Sequence, residues 1–285
     1  MSQPERTICY SDNQWHEGNP KLIGPMNHAF WMASVVFDGA RSISGLAPDL
    51  DQHCQRLCDS ATAMGLEPST SPQDITDICI DGIRQFLPNA VLYVRPMFYA
   101  TDGFVLAEAN STKLAVVLHE KAMPEKSGLT ACLSTRRRPS IEAAPTTAKA
   151  SCLYPNAGLA LREASNRGFH NAITLDPNGN VAELATANLW IAKDGAAHTP
   201  AANGTFLAGI TRARIIELFR QDGIEVIERA MTFDEILAAD EVFATGNYGK
   251  VQPITRVELK DFQPGPISKR AYELYFNYAS NFSVL

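Results

Sequence analysis

The sequence predicts an α+β fold in two subdomains, on three observations. Helical and strand periodicities both occur. They mix without the strict alternation of a doubly wound parallel sheet. Ala122 to Gly128, with Pro124 and Gly128, interrupts both patterns as a linker. The expected divisions are an N-terminal domain over 1–121, a linker over 122–128 and a C-terminal domain over 129–285.

From Pro48 to Gly65, the residues Leu50, Cys54, Leu57, Cys58, Ala61 and Met64 recur at three- and four-residue spacing. Pro48, Asp49 and Asp51 start that helix and Gly65 stops it. A second helix runs Pro72 to Phe86, with Ile75, Ile78, Cys79 and Ile83 on one face. The period then changes, and Ala90 to Tyr99 and Lys113 to His119 read as strands. After the linker, Leu129 to Thr135 is a strand that runs into Arg136-Arg137-Arg138-Pro139. A helix follows over Asn156 to Asn166. Strands Asn171 to Leu175 and Val181 to Leu184 flank Asp176-Pro177-Asn178-Gly179, a hairpin turn. Ala187 to Ala192 is a further strand. Then come helix Thr211 to Gln221, strand Glu225 to Arg229, helix Phe233 to Ala238, strands Val242 to Ala244 and Val251 to Val257, and a helix from Pro266.

The composition narrows function by exclusion. With 25 Lys and Arg against 31 Asp and Glu, the 285-residue chain carries a net charge of −6, which argues against nucleic acid as the main partner. At 45% hydrophobic and 20% charged residues, there is ample material for a core, so dominant disorder is excluded. Apolar runs such as Ala115 to Leu118 are too short to span a bilayer, and Ala90 to Ala100 is broken by Arg95 and Pro96. Met1-Ser2-Gln3-Pro4-Glu5-Arg6 lacks the basic-then-apolar order of a secretory signal. Of the six cysteines, only Cys54 and Cys58 lie a helical turn apart, beside His53, and no second cluster at ligand spacing completes a zinc site. The expectation is a cytoplasmic protein with buried free thiols, no metal, no membrane and no nucleic-acid partner.

There is no G-x-S-x-G elbow, Walker loop, G-x-G-x-x-G turn or H-E-x-x-H pair. What remains is a scattered set. Lys149 sits among small uncharged neighbours from Ala143 to Cys152; if buried it is poorly solvated and nucleophilic toward a carbonyl, although a solvated side chain is the commoner outcome. Ala208-Gly209-Ile210-Thr211-Arg212 leads into a helix whose first amides suit a phosphate, or else Thr211 simply caps it. Glu183, between strand residues, either faces water or turns inward toward a cation such as a protonated pyridine nitrogen. Arg56, on the polar side of the first helix, is a surface arginine or a phosphate ligand. Arg95, in an apolar strand beside Tyr93, Val94 and Pro96, points into solvent or into a polar cavity that a substrate carboxylate would enter. Jointly these residues meet the requirements of a pyridoxal-phosphate site: an amine, an acid for the ring nitrogen, and an arginine with a helix start for the phosphate.

At that point the order of motifs resembles the class IV (fold type IV) pyridoxal-phosphate aminotransferases, and within them the branched-chain aminotransferase-like group. The resemblance runs from about His28 to the final helix. It rests on His28-Ala29 through Val36-Phe37-Asp38-Gly39, His53-Cys54-Gln55-Arg56-Leu57, Tyr93-Val94-Arg95-Pro96, Lys149 to Tyr154, Glu183 to Leu189, Leu207 to Arg212, and Ala239-Asp240-Glu241-Val242-Phe243 with Gly246. It implies a small α/β N-terminal domain, a larger C-terminal domain with a mixed β-barrel-like sheet, and a homodimer. It also implies that Lys149 forms the Schiff base with pyridoxal 5'-phosphate and shuttles the proton. Tyr154 would bond the ring hydroxyl and Glu183 the pyridine nitrogen, while Arg56, Ile210, Thr211 and Asn247 would hold the phosphate. Phe37, Tyr93, Arg95 and Tyr248 would contact substrate.

The departures from the family's pattern bear on specificity. Met32-Ala33 stands where the branched-chain enzymes usually carry Tyr-Gly. Glu183-Leu184-Ala185-Thr186-Ala187-Asn188 replaces both later glycines of Glu-Gly-x-Gly-Glu-Asn. Thr245-Gly246-Asn247-Tyr248-Gly249-Lys250 replaces Ser-Gly-Thr-Ala, so Asn247 stands in for a threonine hydroxyl, and Tyr248 and Lys250 would reshape the pocket. Arg136-Arg137-Arg138 places an arginine where tryptophan is common, either for a second carboxylate or in a solvated loop. Phe30, Trp31 and Met32 line the pocket or pack as a helix face. Transamination of branched-chain L-amino acids with 2-oxoglutarate is the first expectation. A D-amino acid or (R)-amine transaminase, aminodeoxychorismate lyase and a non-catalytic binding protein are the alternatives.

Overall fold

A computed structural model describes residues 6–125 and 127–285. Met1 to Glu5 of the N-terminal run and Lys126 of the expected linker lie outside the described residues. The chain divides into two compact units: the first is 1–123 with 148–152 and 279–285, the second 124–147 with 153–278.

The first unit is an antiparallel six-stranded sheet with helices. Its strands are β1 (Thr7–Ser11), β2 (Gln14–Glu17), β3 (Val35–Phe37), β4 (Ala40–Ile43), β5 (Val91–Ala100) and β6 (Thr112–Glu120), in the order β2-β1-β6-β5-β3, with β4 also on β5. Its helices are α1 (His28–Trp31), α2 (Leu50–Ala63) and α3 (Pro72–Arg84). Ser71 caps α3 by accepting from Asp74 N, and Pro72 fills the first position, where no amide is needed. Gly65, at φ +70, ends α2 as its spacing predicts. Leu50, Cys54, Leu57 and Ala61 of α2 and Ile75, Cys79 and Ile83 of α3 join Val94, Phe98, Val116 and Leu118 of the sheet in one core, the hydrophobic burial that holds the unit together.

The second unit is built on a mixed nine-stranded sheet. Its strands are β7 (Leu129–Arg137), β8 (Asn171–Leu175), β9 (Val181–Leu184), β10 (Asn188–Lys193), β11 (Ala196–Pro200), β12 (Val226–Arg229), β13 (Glu241–Gly246), β14 (Lys250–Val257) and β15 (Lys260–Asp261). The order is β12-β11-β10-β13-β14-β7-β8-β9, with β15 on β14. The pairs β7–β8, β7–β14 and β11–β12 are parallel and the rest antiparallel. The sheet curls until β9, at one edge, lies against β10 and β11, which is the mixed barrel-like sheet the resemblance implies. Helices α4 (Tyr154–Asn166), α5 (Ile210–Gln221), α6 (Phe233–Leu237) and α7 (Pro266–Ala279) complete the elements, the last running one residue into the first unit. Thr232 and Glu235 form a reciprocal capping box on α6.

Several readings change on contact with the fold. The short N-terminal elements β1 to β4 carry too few residues for a period to show; β1 and β2 are joined by the two-residue turn Asp12-Asn13, both at positive φ. Arg136 and Arg137 extend β7 instead of starting a loop. The helix expected from Asn156 begins at Tyr154, because Pro155 is admissible in a first turn. The thiols are not uniformly buried: Cys152 is exposed, while the other five are buried. Phe30, Trp31 and Met32 are exposed, so they are not a packed helix face. Among the described residues, no helix is long and apolar enough to cross a membrane.

Candidate active site

The first unit holds Phe37, Arg56, Tyr93, Arg95 and Lys149 of the expected site residues. Lys149 is half-buried, and its backbone is clamped on both sides. Its N–H donates to Ser60 Oγ of α2 at 3.0 Å, its carbonyl accepts from Phe37 N at 3.1 Å, and Ala150 bridges Val36 of β3. The Lys149 Nζ lies 5.1 Å from the centre of the Phe37 ring. That is a cation–π contact, which favours the charged amine.

Arg56 sits on α2, but it is not a surface arginine. Its Nε and Nη2 donate to Asp38 Oδ2 and Oδ1 at 2.7 and 2.8 Å. His53, one turn earlier, places Nδ1 2.7 Å from Asp38 Oδ1. Burial alone would raise the Asp38 carboxyl, yet the charges of Arg56 and then His53 hold it well below the usual carboxylate range. Strand alternation puts Tyr93 and Arg95 on one half-buried face of β5, with Leu92, Val94 and Pro96 on the core face. Tyr93 stacks on His119 at 5.5 Å between ring centres. The Arg95 side chain makes no hydrogen bond or ion pair with any described residue, and its Nε is buried. A guanidinium in that state suits an oxyanion ligand.

The second unit holds Tyr154, Glu183, Ile210, Thr211, Asn247 and Tyr248. Glu183, on β9, is turned inward and buried. Its Oε1 lies 3.4 Å from Arg138 Nε and its Oε2 accepts from Asn188 Nδ2 at 3.2 Å. Arg138 is itself buried and also donates to the carbonyl of Thr205 at 3.1 Å, so the basic run is not a solvated loop at its third residue. Asn188 ties Glu183 to the start of α5: its Nδ2 also donates to Leu207 O at 3.0 Å, and its Oδ1 fills the space that a Cβ on Gly209 would need.

Thr211 does not cap α5. The N-cap is Gly209, no side chain bonds the first amides, and Thr211 is buried in the first turn, with Ile210 half-buried before it. Those amides and the helix dipole are therefore presented to an anion. At the start of β14, Lys250 is fully buried at φ +59; its Nζ donates to Asn247 Oδ1, in the turn after β13, at 2.8 Å and lies 5.5 Å from the Tyr275 ring centre. An ammonium can meet only the oxygen of an amide, so Asn247 is turned to offer Nδ2 as a donor, and that atom is buried with no protein acceptor. Tyr248 and Tyr154 are exposed.

The structure thus gathers Lys149, Phe37 and Arg56 around α2 and β3 in one unit. It links Glu183 to the start of α5, beside Ile210 and Thr211, in the other. Sequence reasoning assigned no role to Asp38, Ser60 or Asn188, weighed His53 only beside Cys54 and Cys58, and left the arginine run that includes Arg138 between a second carboxylate and a solvated loop. The available signal was an acid directly after Val35-Val36-Phe37, which demands a cation, and His53 and Arg56 spaced three apart on one helix face.

Comparison with known proteins is consistent over nearly the whole chain. Residues 35–257 match the family model for amino-transferase class IV. A branched-chain-amino-acid aminotransferase of Pseudomonas aeruginosa is 31% identical over 98% of this chain and 95% of its own length. The enzyme of the same name from Escherichia coli strain K12 is 32% identical over 88% of this chain and 86% of its own. Among solved structures, an aminotransferase from Brucella abortus bound to the cofactor PLP superposes with a TM-score of 0.95 at 43% identity, covering 96% of this chain and 99% of that one. The Escherichia coli branched-chain aminotransferase does so with a TM-score of 0.88 at 30% identity, covering 96% and 94%.

Proposed function

Since the chain belongs to the class IV aminotransferases, we propose that it uses pyridoxal 5'-phosphate to move an amino group from a branched-chain L-amino acid to a 2-oxo acid such as 2-oxoglutarate. The substrate class rests on the names of its relatives. The observation that carries the chemistry is Glu183, an enclosed carboxylate oriented by Arg138 and Asn188, which suits a protonated ring nitrogen.

The residues present fit the cofactor. When bound, it supplies an electron sink for negative charge at the substrate α-carbon. Lys149 would hold the cofactor through its amine and would carry the proton to and from the substrate α-carbon. Glu183 would keep the ring nitrogen charged and Tyr154 would bond the ring hydroxyl. Arg56, the first amides of α5 at Ile210 and Thr211, and Asn247 Nδ2 would hold the phosphate. Arg95 takes the substrate carboxylate, with Phe37, Tyr93 and Tyr248 shaping the pocket. The working protein is a cytoplasmic homodimer of two-domain subunits.

The test is an absorption spectrum of purified protein during separate additions of L-leucine, D-alanine and (R)-1-phenylethylamine. Conversion of the cofactor band to its amine form by L-leucine alone is expected. Conversion only by D-alanine or the (R)-amine overturns the substrate class. No cofactor band, even after pyridoxal 5'-phosphate is supplied, overturns the enzyme reading. Turnover that survives in Lys149→Ala removes the role given to that lysine.

A further inference from the structure

Asp38 is 0% exposed, and it follows directly on β3. Its backbone N–H is anchored to Pro96 O at 3.0 Å, and its carboxylate accepts four hydrogen bonds: from His53 Nδ1, Arg56 Nε, Arg56 Nη2 and the Gly39 N–H. The two bonds from Arg56 use one edge of the planar guanidinium, so they fix both its position and the tilt of its plane; the opposite edge is directed away from Asp38. One helical turn after Arg56, Ser60 holds the Lys149 N–H, and the residue before Asp38, Phe37, holds the Lys149 carbonyl. One helix and one strand end therefore grip both the Arg56 side chain and the Lys149 backbone.

We propose that Asp38 is a positioning residue for the cofactor phosphate: by holding Arg56 at two points, it sets the guanidinium at a fixed place relative to Lys149. The phosphate and the aldehyde carbon of one cofactor molecule are separated by a set distance, so a guanidinium and a lysine backbone fixed on the same elements would be poised for it before the cofactor arrives. The inference rests on the aminotransferase reading above. An asparagine at 38 would break the grip, because its single oxygen cannot serve both Arg56 donors and its amide N–H would oppose one of them.

The experiment titrates cofactor-free protein with pyridoxal 5'-phosphate and, separately, with pyridoxal, following absorbance and fluorescence. It uses the wild type, Asp38→Asn, Arg56→Gln and the double variant. Asp38→Asn should lose about ten- to a hundredfold in affinity for the phosphorylated form, the scale seen when the outer partner of a ligating side chain is removed. Its affinity for pyridoxal should stay within about twofold of the wild type, and the loss should vanish in the Arg56→Gln background, where there is no guanidinium to position. Equal losses for both compounds, or a full additional loss in the double variant, would show a general structural role and overturn the proposal. Unchanged affinity for the phosphorylated form in Asp38→Asn overturns it too. A wild type that binds neither compound instead removes the aminotransferase reading, and this proposal with it. If Asp38→Asn does not fold, Arg56→Lys carries the test, since lysine keeps the charge but cannot make the paired contact. It should lose preference for the phosphorylated form as fully as Arg56→Gln; a wild-type preference refutes the two-point grip.

Discussion

Gly209→Ala isolates the coupling between Glu183 and the start of α5. At φ −72 and ψ 136 the backbone of Gly209 suits alanine, so no conformational strain arises. The obstacle is Asn188: an added Cβ would overlap its Oδ1 and lie 3.2 Å from its Cγ. Asn188 is 5% exposed and cannot turn aside without giving up Nδ2 bonds to Glu183 and Leu207. The first is charge-assisted, at about 1.5–3 kcal/mol, and the second is neutral, at about 0.5–1.5 kcal/mol. Alanine recovers about 0.4–1 kcal/mol by restricting the unfolded chain. The net cost is about 1–4 kcal/mol. For 285 residues the unfolding entropy is about 0.6 kcal/mol/K, so the thermal midpoint should fall by about 2–7 °C. Gly158→Ala is the control: it is the same chemical change at an exposed position inside α4, with nothing within 4 Å of the new Cβ. It should stabilise by up to about 1 kcal/mol and raise the midpoint slightly. Calorimetry of the three cofactor-free proteins decides the matter. A Gly209→Ala midpoint equal to the wild type would mean that Asn188 yields without loss, and that it does not tie Glu183 to the helix.

Three further outcomes follow from the same geometry. Glu183→Gln keeps the shape of the side chain but removes its charge, so steady-state turnover should drop by about 10²- to 10³-fold with a smaller change in KM; wild-type turnover would refute the ring-nitrogen role. Asp38 has a depressed folded pKa, so its stabilisation is complete at neutral pH and is lost as pH falls below the unfolded value of about 3.9 toward the folded one. Urea midpoints of wild type and Asp38→Asn should therefore differ most at pH 7 and draw steadily closer as pH falls below about 4, and a gap that widens in acid would contradict the assignment. Maleimide should label Cys152 alone in the native protein, because the other five thiols are buried and burial pushes Cys58 up to about 11; mass spectrometry finding a second fast-reacting cysteine would refute that accessibility.

Local chemistry made much of the framework legible. The helices Leu50–Ala63 and Pro72–Arg84 follow from spacing and capping that neighbouring residues supply, and Asp176-Pro177-Asn178-Gly179 makes the turn between β8 and β9 because its proline and glycine match the turn's dihedrals. The site was legible one residue at a time, as an acid in a strand or a lysine among small neighbours. Its pairings were not. Arg138 reaches Glu183 because β7 lies parallel to β8 and β8 antiparallel to β9, a property of strand order that no local window contains. Arg56 meets Asp38 because α2 packs against β3. The choice between a cap and an anion site at Thr211 stayed open in the sequence for a related reason: Asn188, brought in by β10, takes up the space beside Gly209, and the threonine is buried in the first turn.

The first unit is not a continuous length of chain, and this bears on how the protein is made. Residues 148–152 belong to it although second-unit residues precede and follow them. Residues 279–285 return to it as well, where Ala47 N–H donates to Phe282 O, Val284 N–H donates to Gly45 O, and Leu46 bridges Ser283. On a ribosome the six strands of its sheet emerge early, but Lys149 and the stretch that covers Gly45 to Ala47 arrive only after parts of the second unit have been synthesised. The nascent N-terminal unit must wait, incomplete, for segments delivered out of order. Cutting the gene at the linker would yield a fragment without its lysine and without its closing stretch, so co-expressed halves should assemble only if the break is moved elsewhere.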